Sequence, residues 1–339
     1  MLYPYRASSV KNRQRFNWGA LAPHSYSDAQ RGTEAWEMQT ECLIHGGGDT
    51  ILNVKVRFLH LTAREIGKLD KPVTELPEDI GPNMQLVERL EVAGQLYQAW
   101  QEAVERDVVV SAVTLGELRS FEFPFSFPAK CEREALRDEN GQIAAVIIRT
   151  QQAVNGVVQV NVEELSLDPE KWLFRVSTKI RNETPFETGE TANRDQALLR
   201  SFVSTHTILS VTDGEFVSLL DPPDELKEYA ASCRNIGAYP VLAGAEGDLD
   251  CMLSSPIILY DYPEIAAESA GDLFDGTEID EILTLRIMTL TDEEKREMRS
   301  VDDRARKILE RTEMMPEEQL KKMHGALRGL NKATRSNYG

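Results

Sequence analysis

The sequence has few cysteines, and none of them lies in a metal-binding spacing. The four cysteines are far apart and form no CxxC pair, which excludes the usual zinc, iron–sulfur and thioredoxin motifs. The five histidines are equally dispersed, so HxH, HxxxH and HExxH are all missing. We therefore expect buried free thiols in a reducing compartment and no resident cofactor. The cysteines are Cys42, Cys131, Cys233 and Cys251, and the histidines are His24, His45, His60, His206 and His324.

Long apolar runs are missing as well. The first residues contain no apolar core of a secretory signal, and no stretch reaches the roughly 18 apolar residues that a membrane-spanning helix needs. A phosphate-binding loop is also missing, because the glycines at 46–48 are followed by Asp49 and a strand-like segment instead of a lysine and a helix. These absences predict a cytoplasmic protein without a membrane span or a nucleotide loop.

The chain has no basic excess, and this restricts its partners. It contains 56 acidic and 38 basic residues, a formal net charge of −18. Nucleic acid binds to basic surfaces, so it is not expected as the main partner. Lysine and arginine are absent from 235–281, which holds eleven acidic residues, whereas residues 1–31 and the chain after Glu318 are rich in basic residues. Because the ends are basic and the middle is acidic, self-association between copies is one open alternative.

The acidic part of the chain is apolar enough to pack. In the segment 253–281, an apolar run leads into Tyr-Asp-Tyr-Pro, and aliphatic residues continue among the carboxylates. We interpret Pro256–Tyr260 as a strand, and the whole segment as one that packs while it presents a negative surface to a protein partner. The alternative is an acidic surface loop that neutralises arginines of this chain or of a partner. The candidate partner-binding residues are Asp261, Glu264, Asp272, Asp275, Glu278 and Asp280.

Alternation of apolar and polar residues predicts an antiparallel β domain over 35–187. The turn signals inside it include a glycine-rich stretch at 45–49, and Asn155-Gly156, which is typical of a two-residue hairpin. Pro124 and Pro128 restrict the phenylalanine-rich segment 121–128 to an edge strand or an extended crossing. Strands are expected at 36–44, 52–58, 121–128, 142–153, 157–164 and 172–181.

Helices are predicted where apolar residues recur at steps of three and four. One such pattern lies within the β domain and predicts a helix over about 84–106. Near the C-terminus, Thr291 and Glu294 form a capping-box pattern that begins a helix over 291–310. A proline at the first position begins a second helix over 316–330.

The expected fold class is α+β, with four regions in sequence. Residues 1–34 form a polar basic arm that precedes the antiparallel β-rich N-terminal domain at 35–187. A mixed α/β middle region follows at 196–290 and includes the acidic segment. The chain then continues as a helical C-terminal extension, with its two helices within 291–330.

No stretch carries a complete catalytic motif. The string LFDGT at 273–277 resembles the phosphatase loop of haloacid-dehalogenase-like enzymes, but leucine stands where the nucleophilic aspartate is required. His206 is either a candidate base or a hydrogen-bonded core residue. The enzyme alternative is therefore a metal-dependent hydrolase that uses carboxylates of 261–281 near His206, with His206, Asp275 and Glu278 as the candidate metal ligands.

Two stretches of the sequence are distinctive enough to carry a family resemblance. VSTHTIL begins a stretch that ends in FVSLLDPP at 203–223, and LSSPIILYDYP begins another at 253–285. They resemble an uncharacterised family of bacterial proteins that is associated with gene clusters for NiFe hydrogenases. The resemblance spans about 95–330 and is strongest at 198–330. It implies no catalytic residues, and the dispersed cysteines set this chain apart from the nickel-delivering and iron-centre-building maturation proteins.

The function expected from the sequence is that of a non-enzymatic accessory or assembly protein. It would act through protein–protein contacts, and the resemblance implies hydrogenase subunits or maturation factors as the partners. The acidic surface at 261–281 and the C-terminal helices are the expected contact surfaces. The metal-dependent hydrolase and the self-associating protein stay open as alternatives.

Overall fold

The computed structural model describes residues 18–77, 83–117, 119–165, 172–189, 193–264, 284, 287–301 and 303–316. The chain divides into two units, which are described separately. The large unit spans residues 16–263, and the small unit includes the described residues from 264 onward. In the described part of the chain, no helix has both the length and the apolar character needed to cross a membrane.

The large unit is rich in β-structure and has only short helices among its described residues. The helices are α1 (His24–Ala29), α2 (Arg194–Leu198) and α3 (Lys227–Ser232), and a 3-10 turn precedes α3 at Asp224–Leu226. The strands are β1 (Glu37–Val73), β2 (Met84–Val87), β3 (Arg89–Val92), β4 (Gln95–Gln98), β5 (Trp100–Thr114), β6 (Ser120–Phe127), β7 (Lys130–Arg137), β8 (Ile143–Gln151), β9 (Val154–Glu164), β10 (Leu173–Asn182), β11 (Val203–Val217), β12 (Tyr239–Leu242) and β13 (Cys251–Ser255).

The very long strand β1 organises the sheet. Its first part pairs with β10, its middle with β5 and β11, and its end with β8, all of them antiparallel. The main path of the sheet runs β12-β13-β11-β1-β10-β9-β6. Strands from the predicted β domain and from the predicted middle region therefore share one sheet.

Most strands of the sheet contribute to a large hydrophobic core. Buried side chains from β1, β5, β9, β10, β11 and β13 belong to a single cluster, and the phenylalanines of β6 pack against it. The largest fully buried side chains include Phe58, Phe174, Phe202 and Phe216. Burial of these aromatic side chains stabilises the fold because each removes a large apolar area from water.

The prediction of an edge strand at 121–128 is confirmed. β6 ends the main path of the sheet and pairs with β9. Pro124 lies at the centre of β6. Proline has no N–H to donate, yet the pairing of β6 with β9 continues on both sides of it. The alternation of exposed and half-buried residues along β6 turns its phenylalanines to the core.

The predicted hairpin at Asn155-Gly156 is wrong. Both residues lie inside β9, and the chain passes from β8 to β9 at residues 152–153. The two strands do not pair with each other, since β8 pairs with β1 and β7, whereas β9 pairs with β10 and β6. A Cβ at position 156 would lie 2.5 Å from the Phe125 ring and 2.7 Å from the Phe202 ring. Gly156 thus serves close packing instead of a turn.

The glycine-rich stretch at 45–49, predicted as a turn, is an irregularity inside β1. The register of β1 with β11 shifts between Gly46 and Ile51. On the facing strand, Asp213 adopts a φ of +60°, and its carbonyl accepts a hydrogen bond from the Thr50 hydroxyl at 2.6 Å. A bulge of this kind bends the strands while both remain in the sheet.

The predicted helix over 84–106 is also wrong. Strands β2, β3, β4 and the start of β5 occupy this range. Ala93 and Gly94 both have positive φ, 49° and 76°, and form the tight turn between β3 and β4. Leu90 pairs across this hairpin with Tyr97. Leu90 and Tyr97 are seven residues apart, a spacing that would place them on one face of a helix after two turns. In the structure they are cross-strand neighbours.

The first predicted C-terminal helix, at 291–310, corresponds to two helices in the small unit. They are α4 (Asp292–Val301) and α5 (Asp303–Glu313). The predicted capping box is confirmed. The N–H of Glu294 donates to the Thr291 hydroxyl at 3.2 Å, and the N–H of Thr291 donates to the Glu294 carboxylate at 2.9 Å. The second predicted helix, at 316–330, lies outside the described residues but for its first position.

Candidate functional site

The strongest candidate is a short apolar loop on the surface of the large unit. The strand predicted at Pro256–Tyr260 is wrong, because β13 ends at Ser255 and residues 256–260 follow it as a loop, here called the exposed loop. Ile257, Ile258 and Tyr260 are 42%, 76% and 86% exposed. Large apolar side chains that gather on a surface are typical of an interaction site.

Two more exposed aromatic residues flank the exposed loop. Tyr239 begins β12 and pairs with Ser255, the last residue of β13. Gly19 lies against Pro256, where a Cβ would come within 2.5 Å of the proline, and its φ of +53° also favours glycine. Trp18 precedes this glycine and is exposed. The resulting group is called the apolar surface and consists of Trp18, Tyr239, Ile257, Ile258 and Tyr260.

Ser255 anchors the start of the exposed loop. Its hydroxyl donates a hydrogen bond to the carbonyl of Ile257 at 2.8 Å and accepts one from the N–H of the same residue at 3.1 Å. Ser255 is itself fully buried. A buried hydroxyl with two partners holds the first turn of the loop in one conformation, because breaking either bond leaves a polar group unpaired.

Asp261 anchors the end of the exposed loop. One carboxylate oxygen accepts a hydrogen bond from the N–H of Leu242 at 2.8 Å, and the other accepts one from the Ser218 hydroxyl at 2.5 Å. The next residue, Tyr262, donates its N–H to the carbonyl of Leu242 at 2.8 Å. One carboxylate therefore joins the loop to β12 and to the chain that leaves β11.

The same contacts close the outer edge of β12. The N–H and carbonyl of Leu242, which a neighbouring strand would use, are both occupied by residues 261–262. Pro240 has no N–H to offer. Capped and proline-bearing edges resist the addition of another strand. At Leu242, the outer edge of β12 therefore offers no free backbone group to another strand.

The structure covers only part of the predicted acidic surface. Asp261 is half-buried and bonded within the fold, whereas Glu264 is exposed. The other four predicted residues, Asp272, Asp275, Glu278 and Asp280, lie outside the described residues. The internal role of Asp261 was not foreseen from the sequence, because a carboxylate in an acidic segment suggests solvent contact.

His206, the predicted candidate base, is half-buried on β11. Its Nδ1 lies 2.7 Å from the carbonyl oxygen of Ser204, and its strand neighbour on β1 is Arg57. Burial lowers the pKa of His206, and the positive charge of Arg57 lowers it further. Among the described residues, no three His, Cys, Asp or Glu side chains come together as a metal site would require. The proposed ligands Asp275 and Glu278 lie outside the described residues.

A second cluster of ionisable side chains lies where β1 passes between β5 and β8. The buried Arg64 places Nη1 3.4 Å from one oxygen of Glu102, and Arg149 donates from Nε to the other oxygen at 2.9 Å. Arg149 also donates to Glu134 at 2.7 Å. Burial lowers the pKa of Arg64, and the charge of Glu102 opposes this shift. Arg64, Glu102 and Arg149, together with His60, Arg106 and Gln151, are called the buried polar cluster.

His60 on β1 and Arg106 on the neighbouring strand β5 extend the buried polar cluster. His60 is fully buried, and its Nε2 lies 2.9 Å from the carbonyl oxygen of Gln152. Arg106 donates to Gln151 at 2.8 Å and lies 4.7 Å from the centre of the Phe127 ring. Burial lowers the pKa of His60 to about 4. These bonds join neighbouring strands, so the cluster holds the register of the sheet.

Sequence reasoning missed the buried polar cluster, although a signal was present. From Leu52 to Phe58, the even-numbered residues of β1 are buried and apolar. The next even positions are His60, Thr62 and Arg64, and all three are buried. Polar residues that continue the parity of a core face indicate a polar seam inside the fold.

The fold and the surface together define a class of protein: a β-rich chain on one large antiparallel sheet, with an anchored apolar loop at the sheet edge. No protein-family model matches the chain, and no curated protein matches it. Among solved structures, it is similar at a TM-score of 0.16 and 10% identity to the secretin InvG of the Salmonella SPI-1 type III secretion injectisome in the open gate state. The match covers 68% of this chain and 60% of the secretin chain. A likeness of this size carries no argument about fold or function.

Proposed function

We propose that this chain is a non-enzymatic accessory or assembly protein of the cytoplasm that acts through protein–protein contacts. The observation that carries the proposal is the apolar surface. Exposed apolar area costs free energy in water, about 25 cal/mol for each Å² that a partner could cover. Ile258 and Tyr260 are the most exposed members of this surface. Tyrosine and tryptophan, which frame it, are enriched among the residues that dominate binding energy.

The proposed partner has an apolar cleft bordered by lysine or arginine. The chain around the exposed loop supports this choice, since 235–281 has no basic residue. Glu246, Asp248 and Asp250 are exposed on the turn that precedes β13. Complementary charges around an apolar contact raise the association rate and reject wrong partners more than they add to affinity.

The resemblance found in the sequence makes NiFe-hydrogenase subunits and maturation factors the first partners to test. The proposal also retains the predicted layout of a basic arm at 1–34, a β-rich domain at 35–187 and a mixed α/β region at 196–290. The helical extension at 291–330 is proposed as a further contact surface. The sheet that both regions share is the proposed scaffold. The proposed partner-binding surface lies on the middle region and, through Trp18, on the arm.

The test of the proposal is affinity capture of the tagged full-length protein from its own host at low salt, followed by mass spectrometry. We expect hydrogenase subunits or their maturation proteins in the eluate. An assembly of identical chains that dissociates with salt would favour self-association. A stoichiometric divalent metal in protein purified without chelator, with no captured partner, would favour the hydrolase alternative.

Ile258→Asp should weaken binding of the captured partner by about 30-fold or more, which corresponds to roughly 2 kcal/mol. A charge on the exposed loop would have to be desolvated in the complex. Isothermal titration calorimetry measures the change. The matched control is Val109→Asp on β5, because Val109 is also exposed, at 62%, but lies outside the apolar surface. Equal losses in the two variants would contradict a specific role for the exposed loop.

Neutralising the acidic segment should weaken capture more modestly. We expect the combined change Asp272→Asn, Asp275→Asn, Glu278→Gln and Asp280→Asn to reduce affinity by about 3- to 10-fold at low salt and to flatten its salt dependence. Binding measured at low and high ionic strength checks both effects. Unchanged capture would remove these four carboxylates from the contact surface.

A further inference from the structure

We infer that Asp261 is a positioning residue, which holds the exposed loop in the shape that the partner recognises without contacting the partner itself. The inference rests on the proposed function, since it concerns the same surface. It differs from the sequence prediction, in which this carboxylate faces the partner. Its basis is that both carboxylate oxygens of Asp261 accept hydrogen bonds from other parts of the fold.

Both oxygens of the Asp261 carboxylate accept hydrogen bonds from within the fold. One oxygen takes the N–H of Leu242, and the other takes the hydroxyl of Ser218. The same hydroxyl accepts hydrogen bonds from the N–H groups of Leu220 at 3.2 Å and Asp221 at 3.0 Å. Charge-assisted bonds of this kind are stronger than neutral ones and fix geometry well. Asp261 therefore clamps the turn after β11, the end of β12 and the exposed loop to one another.

The backbone beside Asp261 supports the same conclusion. Tyr262 has a φ of +56°, a conformation that is rare for a bulky aromatic residue. Such a residue persists only where its surroundings hold it. Here the Tyr262 side chain packs against the core, and its N–H is bonded to Leu242. This turn directs the chain so that Asp261 points inward while Tyr260, directly before it, points outward at 86% exposure.

The exposed loop is thus fixed at both ends and free in the middle. Ser255 holds its start and Asp261 its end, while Ile257, Ile258 and Tyr260 between them face the solvent. A binding loop held in one shape before binding loses less conformational freedom when the partner arrives. Loss of either anchor should therefore reduce affinity even though no contact residue is changed.

Two substitutions at Asp261 separate positioning from direct charge contact. Asp261→Asn removes the charge but keeps the shape, and its oxygen can still accept the Leu242 N–H. It loses only the bond from the Ser218 hydroxyl, whose oxygen already accepts the N–H groups of Leu220 and Asp221 and has no lone pair left for the new amide. Asp261→Ala removes both bonds. If Asp261 positions the loop, only the alanine variant should be impaired. If it pairs with a basic partner residue, both variants should be impaired alike.

Hydrogen–deuterium exchange of the full-length protein tests the anchoring role without any partner. In Asp261→Ala we expect the amides of Leu242 and Tyr262 to exchange at least about 10-fold faster, because their hydrogen bonds open more often. In Asp261→Asn the change should stay within about 3-fold. Asp248→Ala is the matched control, since Asp248 accepts the N–H of Ala245 at 2.9 Å in a separate turn. Unchanged exchange in Asp261→Ala would overturn the inference.

Binding of the captured partner tests the consequence. Asp261→Ala should weaken it at least about 10-fold, Asp261→Asn less than about 3-fold, and Ser218→Ala, which removes one anchor and no charge, by an intermediate factor. Equal losses for the alanine and asparagine variants would overturn positioning in favour of direct contact. If Ile258→Asp leaves binding intact while Asp261→Ala accelerates exchange, the proposed function fails and the anchoring of the loop stands.

Discussion

Glu102→Ala should lower the free energy of unfolding of the large unit by about 3 kcal/mol. Its carboxylate contacts Arg64, whose side chain is only 6% exposed, and accepts a hydrogen bond from Arg149 at 2.9 Å. Burial already lowers the pKa of Arg64, which means that the fold holds this charge at a cost that Glu102 offsets. Removing one member of a buried ion pair leaves the other charge desolvated. For a unit of this size, the corresponding fall in Tm is roughly 6–12 °C.

Glu134→Ala is the matched control for this prediction. Glu134 contacts the same Arg149 at 2.7 Å, but its side chain is 53% exposed, against 24% for Glu102. Ion pairs in contact with water contribute about 1 kcal/mol or less, because solvent screens them. Urea denaturation of both variants gives the comparison. A loss below about 1 kcal/mol for Glu102→Ala, or equal losses for the two variants, would contradict a stabilising role for the buried polar cluster.

Acidification should destabilise the large unit through His60. The pKa of this histidine is lowered to about 4 because the ring is buried, and the charge of Arg106 lowers it further, against a hydrogen bond to Gln152 that raises it. In the unfolded chain its pKa is about 6.5. The unfolded state therefore binds more protons between these values, so the contribution of His60 to stability is complete above about pH 6.5 and is lost as the pH falls towards about 4. The expected loss is about 2–3 kcal/mol.

His60→Gln isolates this contribution. The glutamine amide can still donate to the Gln152 carbonyl, but it does not titrate. The difference in free energy of unfolding between the wild type and His60→Gln should thus shrink by about 2–3 kcal/mol between pH 7 and about pH 4.5. His24→Gln is the control, since the His24 side chain is half exposed. A constant difference across this range for His60→Gln would show that the buried ring does not drive the acid response.

Local patterns predicted most of the strands. The alternating segments at 142–153, 157–164 and 172–181 correspond to β8, β9 and β10, because period two is a property of the strand itself. The helix predicted over 84–106 failed, since the spacing of Leu90 and Tyr97 is the same for two helical turns and for a short hairpin. Only the pairing of neighbouring strands distinguishes the two.

Turn signals were the least dependable part of the prediction. Gly156 lies in a strand because the Phe125 and Phe202 rings need the space of a missing Cβ. The glycines at 46–48 lie in a bulge of β1 opposite Asp213. Glycine allows a turn, a bulge or a close contact, and sequence alone does not state which one the neighbours require.

By itself, the sequence determined the β-rich character of the chain, the edge strand with Pro124, the capping box at Thr291 and the uneven distribution of charge. These are properties of neighbouring residues, so local pattern suffices to find them. The tertiary structure alone decided that Pro256–Tyr260 is an exposed loop and that Asp261 faces inward. Those features depend on Ser218 and Leu242, 43 and 19 residues away along the chain. Distant contacts of this kind form only when folding brings these parts of the chain together.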